Sequence, residues 1–293
     1  MDSIYLTYWE CNSYIEICET RFYYPSQENT MTDYNKTQAP LGAQALFRGL
    51  AVIEAVSGGA HSLAEIGLAV GCTRSTTHRL VVALVQADYL RSDAQGYRLG
   101  PRLIELGYKA RGQMPLIRLA RLHLQRLADL TQDTIHLGVR EAGDVLYIDK
   151  LSSTRGLEMR SRIGLRMPLA LTGIGKSLML DLSAQEWETL YQEGMQRRAG
   201  QPGLREVFTD WDEYQAQMCE YAAGGFSFDL EENELGVRCV AAPVRDAGGE
   251  IVAAISVASA IPYMPEERLE ALRPAVIECA QAISAELGWR RAS

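Results

Sequence analysis

Residues 62–90, SLAEIGLAVGCTRSTTHRLVVALVQADYL, decide how this chain begins to fold. Ser62-Leu63-Ala64-Glu65 has the spacing of a capping box: the serine side chain takes the amide three residues on, and the glutamate reaches back. A short helix from Leu63 to Val70 follows. Gly71-Cys72-Thr73 then makes a tight turn, and Thr73 caps a further helix running to about Ala87. Leu80, Val81, Leu84 and Val85 give that helix a buried face, while Arg74, Ser75, Thr77, His78 and Arg79 crowd its polar N-terminal side. A short helix, a turn containing glycine and a second helix with polar residues at its start form a helix-turn-helix pattern.

The flanks extend the pattern. Upstream, AQALFRGLAVIEAVSGG (43–59) places Leu46, Leu50, Ile53 and Val56 at three- or four-residue steps and stops at Gly58-Gly59, which predicts a first helix. Downstream, Tyr89-Leu90-Arg91 and Tyr97-Arg98-Leu99-Gly100 read as two short strands joined by Ser92-Asp93-Ala94-Gln95-Gly96, the wing of a winged helix, with Arg91 and Arg98 beside its tip. Pro101 to about Asp133 is expected to be helical in two pieces, broken between Gly112 and Pro115. The second piece alternates Leu with Arg and is expected to connect two domains and to contact a second copy.

Beyond Thr134 the pattern becomes α+β. TIHLGVR, VLYIDKL and GLEMRSR read as strands, the first two joined by a turn at Arg140–Asp144. Helices are expected over Gly173–Leu182, Ala184–Gln196, Trp211–Ala223 and Pro265–Leu287. A late hairpin joins the strand from Cys239 to the strand from Ile251 through Asp246-Ala-Gly-Gly. Antiparallel strands with helices grouped around them indicate a sensor-type sheet domain. The expected division is a flexible extension over 1–40, a winged helix-turn-helix over 41–111, a linker helix over 112–133 and an effector domain over 134–293.

Charge separates the same regions. The whole chain of 293 residues carries −8, which excludes a uniformly basic coat for nucleic acid. Residues 1–35 hold one basic and six acidic residues, residues 36–112 nine and five, and residues 113–293 nineteen and twenty-six. A +4 module therefore lies inside an acidic chain, so weak non-specific DNA affinity is expected. No run approaches the roughly 18 to 20 apolar residues of a membrane span, and the chain reads as a cytoplasmic protein. Its six cysteines have no C-x-x-C spacing and read as reduced thiols rather than metal ligands, and no cofactor is expected. The first thirty residues hold seven of the 23 aromatic residues with no helical or strand period and lack a signal-peptide pattern. Translation starting at Met31 would remove them and leave −4.

Several motifs in order resemble the IclR family of bacterial transcription regulators: the opening stretch followed by YRLGPRLIELG, then RIGLRMPLALTGIGKSLML, then GFSFDLEENELGVRCVAAPV. The resemblance spans about Ala43 to Leu287. It implies an α+β architecture in which an N-terminal winged helix-turn-helix is joined by a helix to a GAF/profilin-like effector domain. It also implies a homodimer or dimer of dimers on a palindromic operator in double-stranded DNA. A small organic acid would be held by the amides of Gly173 and Ile174, with polar contacts from Asp229, Cys239 and Ser256 and apolar walls from Met159, Met167 and Val237. The family commonly has histidine where this chain has Ala170, and members that take small oxo-acids have a second serine where it has Ala258. A roomier, less polar pocket follows, suited to a sugar acid or an aromatic acid.

For DNA, Arg74, Ser75, Thr76, His78 and Arg79 are the candidates at the recognition helix, because Arg pairs with guanine edges and short hydroxyls meet bases or phosphates. Arg91, Gln95 and Arg98 on the wing and Gln44 and Arg48 on the first helix are candidates for the backbone or minor groove; each also fits a solvated surface. Two other classes stay open: a GAF-type enzyme using Cys239 with His136 as base, and a protein-binding winged helix. The first lacks a third orienting group, and a lone Cys among Val and Ala reads as a small hydrophobe. Gly173, Gly175 and Lys176 are too close together for a phosphate-binding P-loop.

Overall fold

A computed structural model describes residues 43–155, 159–198 and 210–290. The expected extension over 1–40, with its alternative start at Met31, and residues 156–158 of the expected strand GLEMRSR lie outside the described residues. The chain divides into two compact units between Tyr108 and Lys109.

In the first unit, α1 (Gln44–Ser57), α2 (Leu63–Val70) and α3 (Arg74–Gln86) precede a hairpin of β1 (Leu90–Asp93) and β2 (Gly96–Leu99). The capping box is complete: Glu65 N donates to Ser62 Oγ at 3.2 Å, and Ser62 N donates to Glu65 Oε2 at 2.8 Å. Gly71 ends α2 in the left-handed region at φ 64°, conformational space that costs glycine little. Val52, Val56, Ile66, Val70, Val81 and Leu90 form the core. The face expected on α1 is therefore rotated: Leu46 and Leu50 are 64% and 40% exposed, because small Ala51 and Ala55 let α1 approach its neighbours along the Val52–Val56 stripe. Thr77, grouped in sequence with the polar residues, is buried, and its hydroxyl donates to the Thr73 carbonyl at 3.0 Å. The wing is fastened by Tyr97 N donating to His61 O at 2.8 Å. A Cβ at Gly96 would lie 2.3 Å from that same oxygen.

The helix α4 (Pro101–Gly112) carries the chain across the division, and α5 (Pro115–Thr131) follows. Within the linker helix expected over 112–133, α5 buries Ile117, Ala120, Leu124 and Leu127 in the core of the second unit. Buried Asp149 binds Arg111 at 2.5 Å and Arg121 at 2.9 Å, tying the end of α4 and the start of α5 to one strand.

The second unit is built on β3 (Thr134–Glu141), β4 (Asp144–Leu151), β5 (Arg166–Pro168), β6 (Ser227–Leu230), β7 (Val237–Arg245) and β8 (Ile251–Ala260), in the spatial order β5-β4-β3-β8-β7-β6, all pairs antiparallel. The helix α6 (Gly173–Leu178) packs against β3, β7 and β8; α9 (Glu266–Glu286) packs with α5 and against β7 and β8; α7 (Ala184–Arg198) and α8 (Trp211–Gly224) complete the unit. Two expectations are corrected. Residues 159–162 of GLEMRSR are not strand, since Lys150 Nζ takes their carbonyls in place of a ladder partner, donating to Met159 O at 2.8 Å and Ser161 O at 2.6 Å; the edge strand is instead β5. The helix expected to reach Leu182 stops at Leu178, where the indole of Trp187 donates to the Met179 carbonyl at 2.6 Å and turns the chain.

Candidate functional site

In the first unit, Thr73 caps α3 by accepting the Thr76 amide at 3.4 Å. This leaves Arg74, Ser75, His78 and Arg79 exposed on the first turns, with Thr76 half-buried and its hydroxyl accepting from Thr73 Oγ1 at 3.1 Å. The helix therefore presents two guanidinium groups, an imidazole and a hydroxyl from its N-terminal end, while Thr77 and Val81 face inward. Gln44 and Arg48 are exposed on α1. On the wing, Arg91 and Arg98 are cross-strand partners, both exposed, with Gln95 at the turn. Arg98 is ion-paired with Asp93. Backbone contacts of this kind position a protein on DNA and base-edge contacts confer sequence preference.

In the second unit, strand alternation sorts the sheet into two unlike faces. One carries Ile135, Leu137, Val240, Ala242, Ile255 and Val257, cross-strand neighbours that belong to the core. The other, beneath α6, carries two rows. Asp229, Cys239, Ala258 and Thr134 are successive partners across β6, β7, β8 and β3; Ser227, Ala241, Ser256, His136 and Lys150 form the next row and extend to β4. Of these, Thr134, His136, Ser227, Asp229 and Ser256 are buried polar residues. A sheet packs against a helix most cheaply with apolar groups, so a buried polar row marks a place where other partners are wanted.

The start of α6 lies on this row. A Cβ at Gly173 would fall 2.5 Å from Cys239 Sγ and 3.5 Å from Asp229 N, so glycine alone lets the helix end reach the strands. Gly175 N donates to Thr172 Oγ1 at 2.9 Å, which caps the helix. Ile174 is buried against the same face farther along β3, where a Cβ at Gly138 would approach its side chain to 2.9 Å. Asp229 Oδ1 accepts the amides of Glu232 at 2.9 Å and Asn233 at 3.4 Å. Burial and the Glu232 charge beside it push its carboxyl well above the ordinary range. Lys176 is fully buried and binds Glu232 Oε1 and Oε2 at 2.6 Å and 2.5 Å.

At the other end, His136 Nε2 is 2.7 Å from Ser161 Oγ and Nδ1 is 3.4 Å from Ser256 Oγ. Burial, then the charge of Lys150, holds His136 down to about 3, a neutral imidazole. Neither ring nitrogen is engaged with Cys239, and burial pushes that thiol up, which opposes a Cys–His nucleophile pair. Met159 joins the site through its carbonyl on Lys150; Met167 lies on β5 opposite Val145; Val237 is half-buried on the face shared with Cys239. Ala258 is on the site row, but Ala170 is not. Its carbonyl accepts from Tyr214 at 3.2 Å and its methyl lies toward Gly194, so loss of a histidine there does not enlarge this site. Lys150, Ser161, Thr134 and Glu232 escaped sequence reasoning, although the alternation Thr134-Ile-His136-Leu already puts two polar groups on one face.

A model of the bacterial transcriptional regulator IclR C-terminal domain matches residues 108–285, and one of the IclR helix-turn-helix domain matches residues 45–94. The chain belongs to the IclR family. Among curated members it is similar to the DNA-binding transcriptional repressor YiaJ of Escherichia coli strain K12, 34% identical over 90% of this chain and 94% of the relative. It is also similar to the HTH-type transcriptional regulator KdgR of the same strain, 31% identical over 78% of this chain and 86% of the relative. Among solved structures, an IclR homolog of Microbacterium hydrocarbonoxydans complexed with 4-hydroxybenzoate is 25% identical over 83% of this chain and 98% of its own, with a TM-score of 0.67. This IclR-family member is thus a ligand-responsive transcriptional regulator, and its relatives are named regulators and repressors rather than enzymes. Among the described residues, no cluster of three metal-binding side chains and no helix long and apolar enough to cross a membrane is present.

Proposed function

We propose that this protein is a cytoplasmic regulator of a carbon-source catabolic operon that binds a palindromic operator in double-stranded DNA and answers to a small organic acid. The observation that carries the reading is the buried polar face of the sheet under α6, in the same chain as a winged helix whose recognition helix leaves Arg74, Ser75, His78 and Arg79 exposed. Arg74, Arg79, Ser75, Thr76 and His78 read the major groove, while Gln44, Arg48, Arg91, Gln95 and Arg98 meet phosphates or the minor groove. The effector lies between the start of α6, at Gly173 and Ile174, and Asp229, Cys239 and Ser256, with Met159, Met167 and Val237 around it. A sugar acid or an aromatic acid fits this mixture of hydroxyls and apolar side chains; the 4-hydroxybenzoate complex of the Microbacterium relative supports the class. Ile104 and Tyr108, 76% and 81% exposed on α4, supply apolar surface for a second copy, in a homodimer or dimer of dimers.

A footprint on the DNA beside the protein's own gene, with and without sugar acids and aromatic acids, tests the reading. A protected two-fold site whose occupancy changes with one of these acids is expected. Protection unaffected by every acid, or no protection at low salt, contradicts it.

A further inference from the structure

The break between α4 and α5 is bridged by a single carboxylate. The first helix ends at Gly112 and the second begins at Pro115, whose ring nitrogen has no hydrogen to continue a helical ladder. Met114 between them is extended, at φ −98° and ψ 96°, and Gly112 and Gln113 are exposed. With the ladder interrupted, the angle between the helices is left to side-chain contacts. Asp149 on β4 makes them: its buried carboxylate takes Arg111 of α4 on Oδ1 at 2.5 Å and Arg121 of α5 on Oδ2 at 2.9 Å. The Arg111 arm carries a penalty. Its Nε is buried with no hydrogen-bond partner among the described residues, an unmet donor that raises the cost of keeping this arm closed. Just after β4, Ser153 Oγ and Thr154 N donate to the carbonyl of Gln132, the C-cap of α5, at 2.8 Å and 3.2 Å, and Arg155 donates to Thr131 O at 3.1 Å. One strand and its extension thus grip both ends of α5.

The same strand lines the candidate site with its other face. Successive strand residues point to opposite sides, so Asp149 lies toward α5 and Lys150 toward the polar row. There Lys150 Nζ donates to Met159 O and Ser161 O, and Ser161 Oγ is 2.7 Å from His136. The Lys150 amide in turn donates to Asp149 Oδ1 at 3.0 Å.

We propose that Asp149, Arg111 and Arg121 form a clamp across the α4–α5 joint, and that effector occupancy, felt at residues 159–161 and Lys150, releases the Arg111 arm and so changes operator affinity. α4 carries the chain across the division between the units, so the clamp decides whether that helix is fixed to the second unit or hinges. The coupling rests on the effector reading above, whereas the clamp rests on the geometry of the joint.

Three measurements on the full chain test this: operator affinity with and without saturating D-gluconate, D-galacturonate or 4-hydroxybenzoate, calorimetric binding of each acid, and hydrogen exchange at Gln113 and Met114, whose amides bond back into the end of α4. In wild type, the acid that binds is expected to change operator affinity by about tenfold and to speed exchange at both amides. Arg111→Met and Asp149→Asn should speed that exchange by about tenfold without acid. They should also cut the change in operator affinity to within about twofold of none while acid binding stays within about threefold. Arg111→Lys should restore part of the coupling, and Arg118→Met, an exposed change on α5, should leave it whole. Coupling of wild-type size in Arg111→Met, unaltered exchange, or loss of acid binding together with the coupling overturns the proposal; so does an acid that binds wild type without changing its operator affinity. Should Asp149→Asn not fold, Arg111→Met decides, its side chain being 41% exposed. No acid binding to wild type removes the effector reading and the coupling with it, a distinguishable failure, and exchange in the variants then still upholds or refutes the clamp.

Discussion

Arg79 and His136 show how differently two polar side chains serve one chain. Arg79 is exposed on the recognition helix, so its substitution touches no core contact. Arg79→Ala is expected to remove about 1–3 kcal/mol of discrimination at one base pair while weak non-specific binding persists. Gel shifts on operator and scrambled duplexes read this directly, and a footprint like that of wild type would refute the base contact. His136 is buried and held to about 3 by burial and then by Lys150. Its folded state stays neutral where the unfolded chain is protonated, so its contribution is complete above about pH 6.5 and is lost as pH falls from there toward 3. Thermal melting across this interval should show a steeper decline for wild type than for His136→Gln, whose amide hydrogen-bonds without titrating.

At the scale of elements, α6 is the piece on which the sensing unit turns. It is only six residues long and is held less by its own hydrogen bonds than by Gly173 against Cys239, by Thr172 as its cap and by Lys176 on Glu232. Burying an ion pair repays little, but removing one partner strands the other in a low-dielectric interior. Lys176→Met is therefore expected to destabilise the second unit by about 3–5 kcal/mol, and Lys176→Met with Glu232→Leu by clearly less. Urea unfolding of the two variants checks this; equal losses would show that the pair itself, not the stranded charge, matters. In the first unit, an alanine at Gly96 would force the wing off the His61 carbonyl, whereas Arg91 and Arg98 tolerate change because both are exposed.

For the whole molecule, the separation into two units with separate cores has a thermodynamic consequence. Six buried apolar side chains make the core of the first unit, and small domains bury proportionally less surface, so it should melt first. Scanning calorimetry is expected to resolve two transitions, with operator DNA raising the lower one and a bound acid raising the upper one. A single transition displaced equally by either ligand would mean that the units unfold together.

The winged helix was legible in residues 62–100 because its determinants are local: a capping box, a glycine turn, a threonine cap and the polar turn Ser92–Gly96 each act within a few residues. Even there, the buried stripe of α1 had to be read from its neighbours, since Leu46 and Val52 are equally apolar and only packing chooses between them. The family motifs in turn pointed to Gly173, Asp229, Cys239 and Ser256. What the tertiary structure alone decided is the second unit's polar rows. They join residues 134–161 to residues 227–258 through the order β4-β3-β8-β7-β6, and a register slip of one residue would turn every one of those side chains to the opposite face. Lys150 and Ser161 became partners of His136, and Ala170 left the site, because such long-range register is settled by the packing of the whole sheet and not by any short stretch of chain.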